Sequence, residues 1–203
     1  SGYQKWRDLL FVHYALSPAD VRAVVPPELE LDLWDDKAWV GVVPFAMLDV
    51  RPRLLPQALA LAFLETNLRT YVHHRGEPGV YFFSLEAASL LAVKAARWGW
   101  GLPYHHARME TSASGDEIRY RSVRKSDPSA SLTARYRVGA ELGASKPGSF
   151  EFFLLERYLL FSVRRGRVSK GQVHHAPYPA RSVEVLDFED GLIAAAGLPR
   201  AEG

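Results

Sequence analysis

Apolar and polar residues alternate with a period of two along much of the chain, the pattern of strands that bury one face. The clearest case is residues 63–72. Phe63, Glu65, Asn67, Arg69 and Tyr71 fall on one face, and Leu64, Thr66, Leu68, Thr70 and Val72 on the other. Residues 9–16, 29–33, 38–50, 80–84, 118–123, 132–138, 158–163, 168–173 and 183–188 read as further strands. Arg75-Gly76-Glu77-Pro78-Gly79 predicts a hairpin turn, and residues 51–56, with Pro52 and Pro56, a loop or edge crossing. Ser17-Pro18 predicts a helix start that Pro26-Pro27 ends, and Ser149 is expected to cap a short helix through Arg157. Residues 85–98 are rich in Ala and Leu and apolar almost all round, which predicts a helix buried on most sides. Gly99-Trp100-Gly101-Leu102-Pro103-Tyr104-His105-His106 cannot continue it and predicts an ordered loop. Strands outnumber helices. The expected class is β-dominated α+β, an antiparallel β-barrel or cone with a buried helix and a few short helices.

Composition narrows the setting. At 203 residues, 48% hydrophobic and 24% charged, the chain suits one domain spanning residues 1–203. It has no cysteine, which excludes disulfides, thiolate nucleophiles and thiolate-bound metals and points to a reducing, cytoplasmic compartment. A membrane span needs about 20 apolar residues. Residues 58–64 and 90–96 are short or broken by Lys94, so no membrane association is expected. The start, Ser1-Gly2-Tyr3-Gln4-Lys5-Trp6, lacks the apolar core of a secretory signal. A net charge of only +2 argues against nucleic acid as a partner. Arg119, Arg121, Arg124, Arg135 and Arg137 then read as the solvated face of paired strands.

Several chemical candidates remain. The Glu65 face is either a water-facing side or the polar lining of a cavity. Lys94 is the one lysine of six in a predicted buried element, either a nucleophilic amine or a side chain snorkelling to solvent. The pairs His73-His74, His105-His106 and His174-His175 could each aim one ring inward, yet none has a His-x-x-x-His ligand spacing. No metal or cofactor is assigned. There is no phosphate loop, Gly99-Trp100-Gly101 is too short for a dinucleotide fingerprint, and Ser84 lacks a nucleophile elbow.

The run Phe63-Leu64-Glu65-Thr66-Asn67-Leu68-Arg69-Thr70-Tyr71-Val72 is followed by Pro78-Gly79-Val80-Tyr81-Phe82-Phe83-Ser84-Leu85. Leu102-Pro103-Tyr104 and Phe153-Leu154-Leu155-Glu156-Arg157-Tyr158 come later. Together these motifs resemble the YqjF-like family of uncharacterised bacterial proteins over nearly the whole chain. That family is similar in turn to acetoacetate decarboxylase, whose fold is an antiparallel double β-cone around an internal cavity. The resemblance aligns Glu65 with the decarboxylase glutamate without a gap. Tyr104 then takes the position of its Schiff-base lysine, and His105 that of the lysine lowering its pKa. A phenol cannot condense with a ketone, so the covalent reaction does not carry over.

The resemblance implies a small-molecule ligand, a carboxylate or carbonyl compound. Glu65, Tyr104 and His105 are the candidate acid–base set, with Asn67, Arg69 and Tyr71 as ligand-binding residues and Arg69 as the carboxylate clamp. The expected chemistry is enolisation, hydration or dehydration beside a carbonyl without a covalent amine. The alternative is a non-catalytic carrier or sensor, or a buried network that only fixes the fold. Oligomeric state, homo-oligomer included, stays open.

Overall fold

The computed structural model describes residues 2–199; Ser1 and residues 200–203, part of the single domain expected above, lie outside the described residues. Strands β1 (Gly2–Arg7) and β2 (Val12–Leu16) precede helix α1 (Pro18–Val24). Then come β3 (Glu30–Leu31), β4 (Ala38–Pro52), β5 (Leu61–His74), β6 (Glu77–Ala87), helix α2 (Leu90–Trp100) and β7 (Tyr104–Ser114). The chain ends with β8 (Glu117–Arg124), β9 (Ser131–Gly143), α3 (Phe150–Leu155), β10 (Leu159–Arg164), β11 (Arg167–Gln172), β12 (Ala180–Asp190) and α4 (Leu192–Ala195).

Local chemistry sets these boundaries. Ser17 accepts a hydrogen bond from the Ala19 amide with Pro18 in the first turn, and Ser149 accepts from the Phe152 amide. Arg75 and Gly76, at φ +54° and +79°, form the tight turn between β5 and β6. Gly76 takes this left-handed backbone without cost.

The strands form one path in the order β1-β4-β5-β6-β7-β8-β9-β12, with β2 added to β4, β3 to β5, and the β10–β11 hairpin to β6. The end strands β1 and β12 do not pair, so the path stays open and the expected barrel closure does not form by hydrogen bonding. The sheet is also not wholly antiparallel. β6 pairs in parallel with both β7 and β10, because each is reached by a crossover rather than a hairpin.

β5 lies between β4 and β6 and is covered on both faces. Leu68 and Val72 join the main core with Val40, Val42, Tyr120, Leu132 and Phe161. On the other face Tyr71 packs with Val80 and Leu154, and Phe153 of α3 lies against them.

The helix after β6 corrects the sequence reading. Leu85, Glu86 and Ala87 are not helical but extend β6, paired with β5 and β7, so their burial belongs to the sheet. The helix starts at Leu90 and is largely exposed: Leu91 is 65% and Trp98 91% accessible, and among its described side chains Val93 alone is deeply buried at 3%. Apolar composition all round gave the expectation of enclosure, yet among the described residues no element covers the outer face. Lys94 is exposed on this helix. Gly101, at φ +65°, ends α2, and after Pro103 the chain is already strand, so Tyr104 to His106 open β7 rather than a loop.

Leu91→Ala should therefore change the unfolding free energy by under about 0.5 kcal/mol, whereas Val93→Ala should cost about 1–3 kcal/mol. Urea denaturation of the two variants checks this. Equal losses would place the helix inside the fold after all.

Candidate functional site

Strand pairing places the polar residues in rows. Glu65 pairs with Phe45 and Ala87, Asn67 with Val43 and Leu85, and Arg69 with Gly41 and Phe82. Each row lies on the same side of the sheet. His13 of β2 joins the Arg69 row through Gly41, and Tyr104 of β7 joins the Asn67 row through Leu85. Gly41 matters sterically. A Cβ there would stand 3.0 Å from His13 Nε2 and 3.6 Å from Arg69 Cγ, so the missing side chain lets the two groups approach.

The face is enclosed. Glu65 is 3%, Asn67 6% and Arg69 9% accessible, and Tyr71 is buried completely. The Tyr104 hydroxyl donates to Glu65 Oε2 at 3.0 Å. At the other end, Arg69 Nη2 donates to the Leu154 carbonyl at 3.0 Å and lies 3.4 Å from the Tyr71 hydroxyl. The Tyr71 hydroxyl itself donates to the Leu154 carbonyl at 2.8 Å and lies 2.7 Å from His13 Nε2.

Residues 173–179 cover the Arg69 end. The Tyr178 amide donates to Glu156 Oε1 and the Tyr158 hydroxyl to Glu156 Oε2. His175 stacks between Tyr158 and Tyr178 at 4.7 and 4.5 Å. Phe11 sits against Tyr178 and under the Arg69 guanidinium.

Burial controls the charges. The Glu65 carboxyl is pushed up to about 8, chiefly by loss of water; the Tyr104 hydrogen bond pulls it down and the Glu86 charge raises it again. Tyr104 is raised well above its usual range by burial and by Glu65. His13 is lowered to about 3 by burial first and the Arg69 charge second, so it is neutral at physiological pH. Arg69 makes no ion pair among the described residues, and its Nε has no hydrogen-bond partner; nor has Asn67 Oδ1.

The structure brings together Glu65 and Tyr104, with Asn67, Arg69 and Tyr71 on the same face. It does not bring His105 there. His105 pairs with Glu86, on the opposite side of the sheet, and burial, then Arg124 and Arg97, lower it to about 4. The histidine on the Tyr104 side is His106, in the row of Ala87 and Glu65. Across the sheet the fully buried Glu86 accepts from Arg124 Nε at 3.1 Å and from Ser84. Arg124 is thus a core ion pair rather than part of a solvated face, while Arg119, Arg121, Arg135 and Arg137 pair with surface carboxylates.

The histidine pairs disperse: His73 meets Glu30, His74 the Glu28 carbonyl, and His175 the aromatic stack. Among the described residues no three metal-binding groups converge, and no helix is long and apolar enough to cross a membrane. The open surface grooves lie elsewhere, one lined by Arg164, Arg165, Arg167 and Ser169 and one between β7, β8 and β9. Neither groove is lined by a residue of the Glu65 face, where a carboxyl, a phenol, an amide and a guanidinium share one side of the sheet. Sequence reasoning missed His13, Gly41, Glu156 and Tyr178. A histidine inside the alternating run 9–16 was the one available signal, for His13.

In the unfolded chain the Glu65 carboxyl titrates near 4.5 and in the fold near 8, so between these values the folded state keeps a proton that the unfolded chain has lost. Stability from this group therefore falls as pH rises through that window, by up to about 1.4 kcal/mol per pH unit. Glu65→Gln should lack that fall, seen as a stability gain over the parent that grows with pH in urea titrations. Tyr104→Phe removes the bond that holds the carboxyl down, so Glu65 should titrate above its parent value in carbon-detected NMR.

Comparison with known proteins gives the fold independent support. The uncharacterized protein YqjF of Bacillus subtilis (strain 168) is 42% identical over 183 residues, 89% of this chain and 75% of that protein. Acetoacetate decarboxylase from Legionella pneumophila superposes with a TM-score of 0.58 at 16% identity, over 87% of this chain and 70% of that one. An acetoacetate decarboxylase-like enzyme from Sphingomonas wittichii RW1 gives 0.58 at 14%, over 91% and 80%. The enduracididine biosynthesis enzyme MppR gives 0.61 at 12%, over 92% and 77%. At such identities the likeness establishes the fold alone, a β-dominated α+β fold of the acetoacetate decarboxylase type. The family DUF2071, described as an uncharacterized conserved protein, matches residues 3–203, and the chain belongs to it.

Proposed function

We propose that this protein binds a small carboxylate or carbonyl compound against the Glu65 face and moves a proton there without forming a covalent amine. The observation that carries the reading is the buried Tyr104–Glu65 hydrogen bond, in a series of polar groups that ends at a cation with no counter-ion among the described residues. Neighbours of the same fold support the ligand class: MppR is known in complex with pyruvate, and with a condensation product of pyruvate and imidazole 4-carboxaldehyde.

In this reading the Glu65 carboxylate takes a proton from the carbon beside a carbonyl, leaving an enolate and a neutral carboxyl. The carboxyl proton is then replaced from solvent, and a solvent-derived proton returns to the enolate carbon, which completes the exchange. A carboxyl poised near neutrality suits both directions. The Tyr104 hydroxyl is placed to donate to the enolate oxygen, and Arg69 to hold the carboxylate. With tyrosine at the position that the resemblance gives to the Schiff-base lysine, no iminium forms. His106, on the Tyr104 side, replaces His105 as the histidine nearest this chemistry. The enclosure of the face by the chain's own side chains favours a second reading, a carrier that closes over its ligand without reaction.

Solvent deuterium exchange at the methyl carbon of pyruvate separates the two. The enzyme reading expects exchange that quickens as pH rises towards about 8, because the base form of Glu65 grows, and that falls at least about 100-fold in Glu65→Gln. Binding without exchange supports the carrier. Borohydride reduction with pyruvate or acetoacetate should leave the intact mass unchanged; an adduct at Lys94 would overturn the non-covalent mechanism.

A further inference from the structure

Two atoms on the Glu65 face lack hydrogen-bond partners although they are buried: Asn67 Oδ1 and Arg69 Nε. Leaving such a group unpaired costs about 1–3 kcal/mol, and more for a charged one. The sheet cannot satisfy either. Asn67 is flanked in its row by Val43 and Leu85, which have no donor, and Arg69 by Gly41 and Phe82. Among the described residues the groups packed around Arg69 bring it no carboxylate: the neutral His13, the Tyr71 hydroxyl, the Phe11 ring, the Leu154 carbonyl and Tyr178, whose hydroxyl is raised by burial although the Arg69 charge opposes it. A guanidinium so surrounded has an unmet demand for an anion.

The two orphans ask for different things. Arg69 Nε is a donor on a cation and needs an anionic acceptor. Asn67 Oδ1 is an acceptor and needs an O–H or N–H. They alternate along one strand with Glu65, about 6.8 Å between successive same-face Cα atoms. The order along β5 is anion site, donor-seeking amide, then the Tyr104–Glu65 pair.

From this order we infer that the ligand is not a plain oxo acid but one with a hydrogen-bond donor, a hydroxyl or amino group, between its carboxylate and its carbonyl. The carboxylate seats on Arg69, the donor serves Asn67 Oδ1, and the carbonyl with its acidic carbon lies at Glu65 and Tyr104. The inference rests on the proposed function and narrows its ligand class. It also gives Asn67 a task distinct from that of Arg69. Arg69 supplies affinity for any carboxylate, whereas Asn67 selects among them, because a ligand without the donor leaves the buried amide oxygen unpaired.

The test uses three matched probes whose groups lie about five bonds apart, close to the same-face spacing of the strand: 11-oxododecanoate, 6-hydroxy-11-oxododecanoate and the methyl ether of the latter. Dissociation constants come from calorimetry and the binding face from amide NMR shifts of β5. The expected result is at least about tenfold tighter binding of the hydroxy acid than of the other two. Asn67→Leu should erase that preference, and Arg69→Met should weaken all three alike. The parent protein suffices for the ranking, so a variant that fails to fold does not remove the test. Equal binding of hydroxy and plain acids at β5 would overturn the donor inference and leave the proposed function standing. Tighter binding of the ether would also overturn it, since the Asn67 amide would then be offering its N–H. If none of the probes shifts β5 resonances, the proposed function falls and this inference falls with it.

Discussion

β5 is flanked by β4 and β6 and covered on both faces, and the rest of the molecule is arranged around that constraint. A strand with water on one side can carry polar residues there at no cost. Here the face with Glu65, Asn67 and Arg69 is also buried, at 9% accessibility or less, though not as completely as the face with Leu68 and Val72. Each polar group must then find a partner in the protein or bear the desolvation penalty. Tyr71 finds one in the Leu154 carbonyl and Glu65 finds one in Tyr104. Asn67 and Arg69 do so incompletely, and the proposed ligand site rests on that remainder.

The sheet also separates two polar clusters that sequence numbers interleave. Glu86 and Arg124 form a buried ion pair on the main-core side, with Ser84 and His105 near them. Glu65 and Tyr104 lie on the other side, yet the Glu86 charge still acts through the sheet to favour the protonated Glu65. The paired carboxylate serves as structure and the unpaired one stays near neutrality. Burial raises both carboxyls; Arg124 and Ser84 oppose the rise at Glu86, whereas Glu65 reaches about 8.

Covering elements complete the arrangement. Helix α3 supplies the Leu154 carbonyl that fixes Arg69 and Tyr71. Residues 173–179 are pinned by the two oxygens of Glu156 and by the stacking of His175. Contacts of this kind, rather than a strand ladder, hold residues 173–179 in place.

Much of this was legible in the residues themselves. The alternation of residues 63–72 determined which side chains share a face, because successive strand residues must point opposite ways. The serine caps, the Arg75-Gly76 turn and the strand-rich class follow from backbone preferences that act within a few residues. The resemblance set Tyr104 opposite Glu65, and the fold makes that contact at 3.0 Å. Tertiary structure decided what depends on partners far along the chain. His13 meets Tyr71 across 58 positions, and Tyr178 reaches the site through Glu156; no local pattern encodes either. The choice of His106 over His105 hangs on where β7 begins after Gly101 and Pro103, since a shift of one residue exchanges the faces. The outer face of α2 was misjudged for a related reason. An apolar helix demands a cover, but sequence does not say whether the cover belongs to the same fold, and residues 85–87 had already spent their apolar character on β6. Periodicity is a property of neighbours and therefore readable, whereas burial is a property of what arrives from elsewhere.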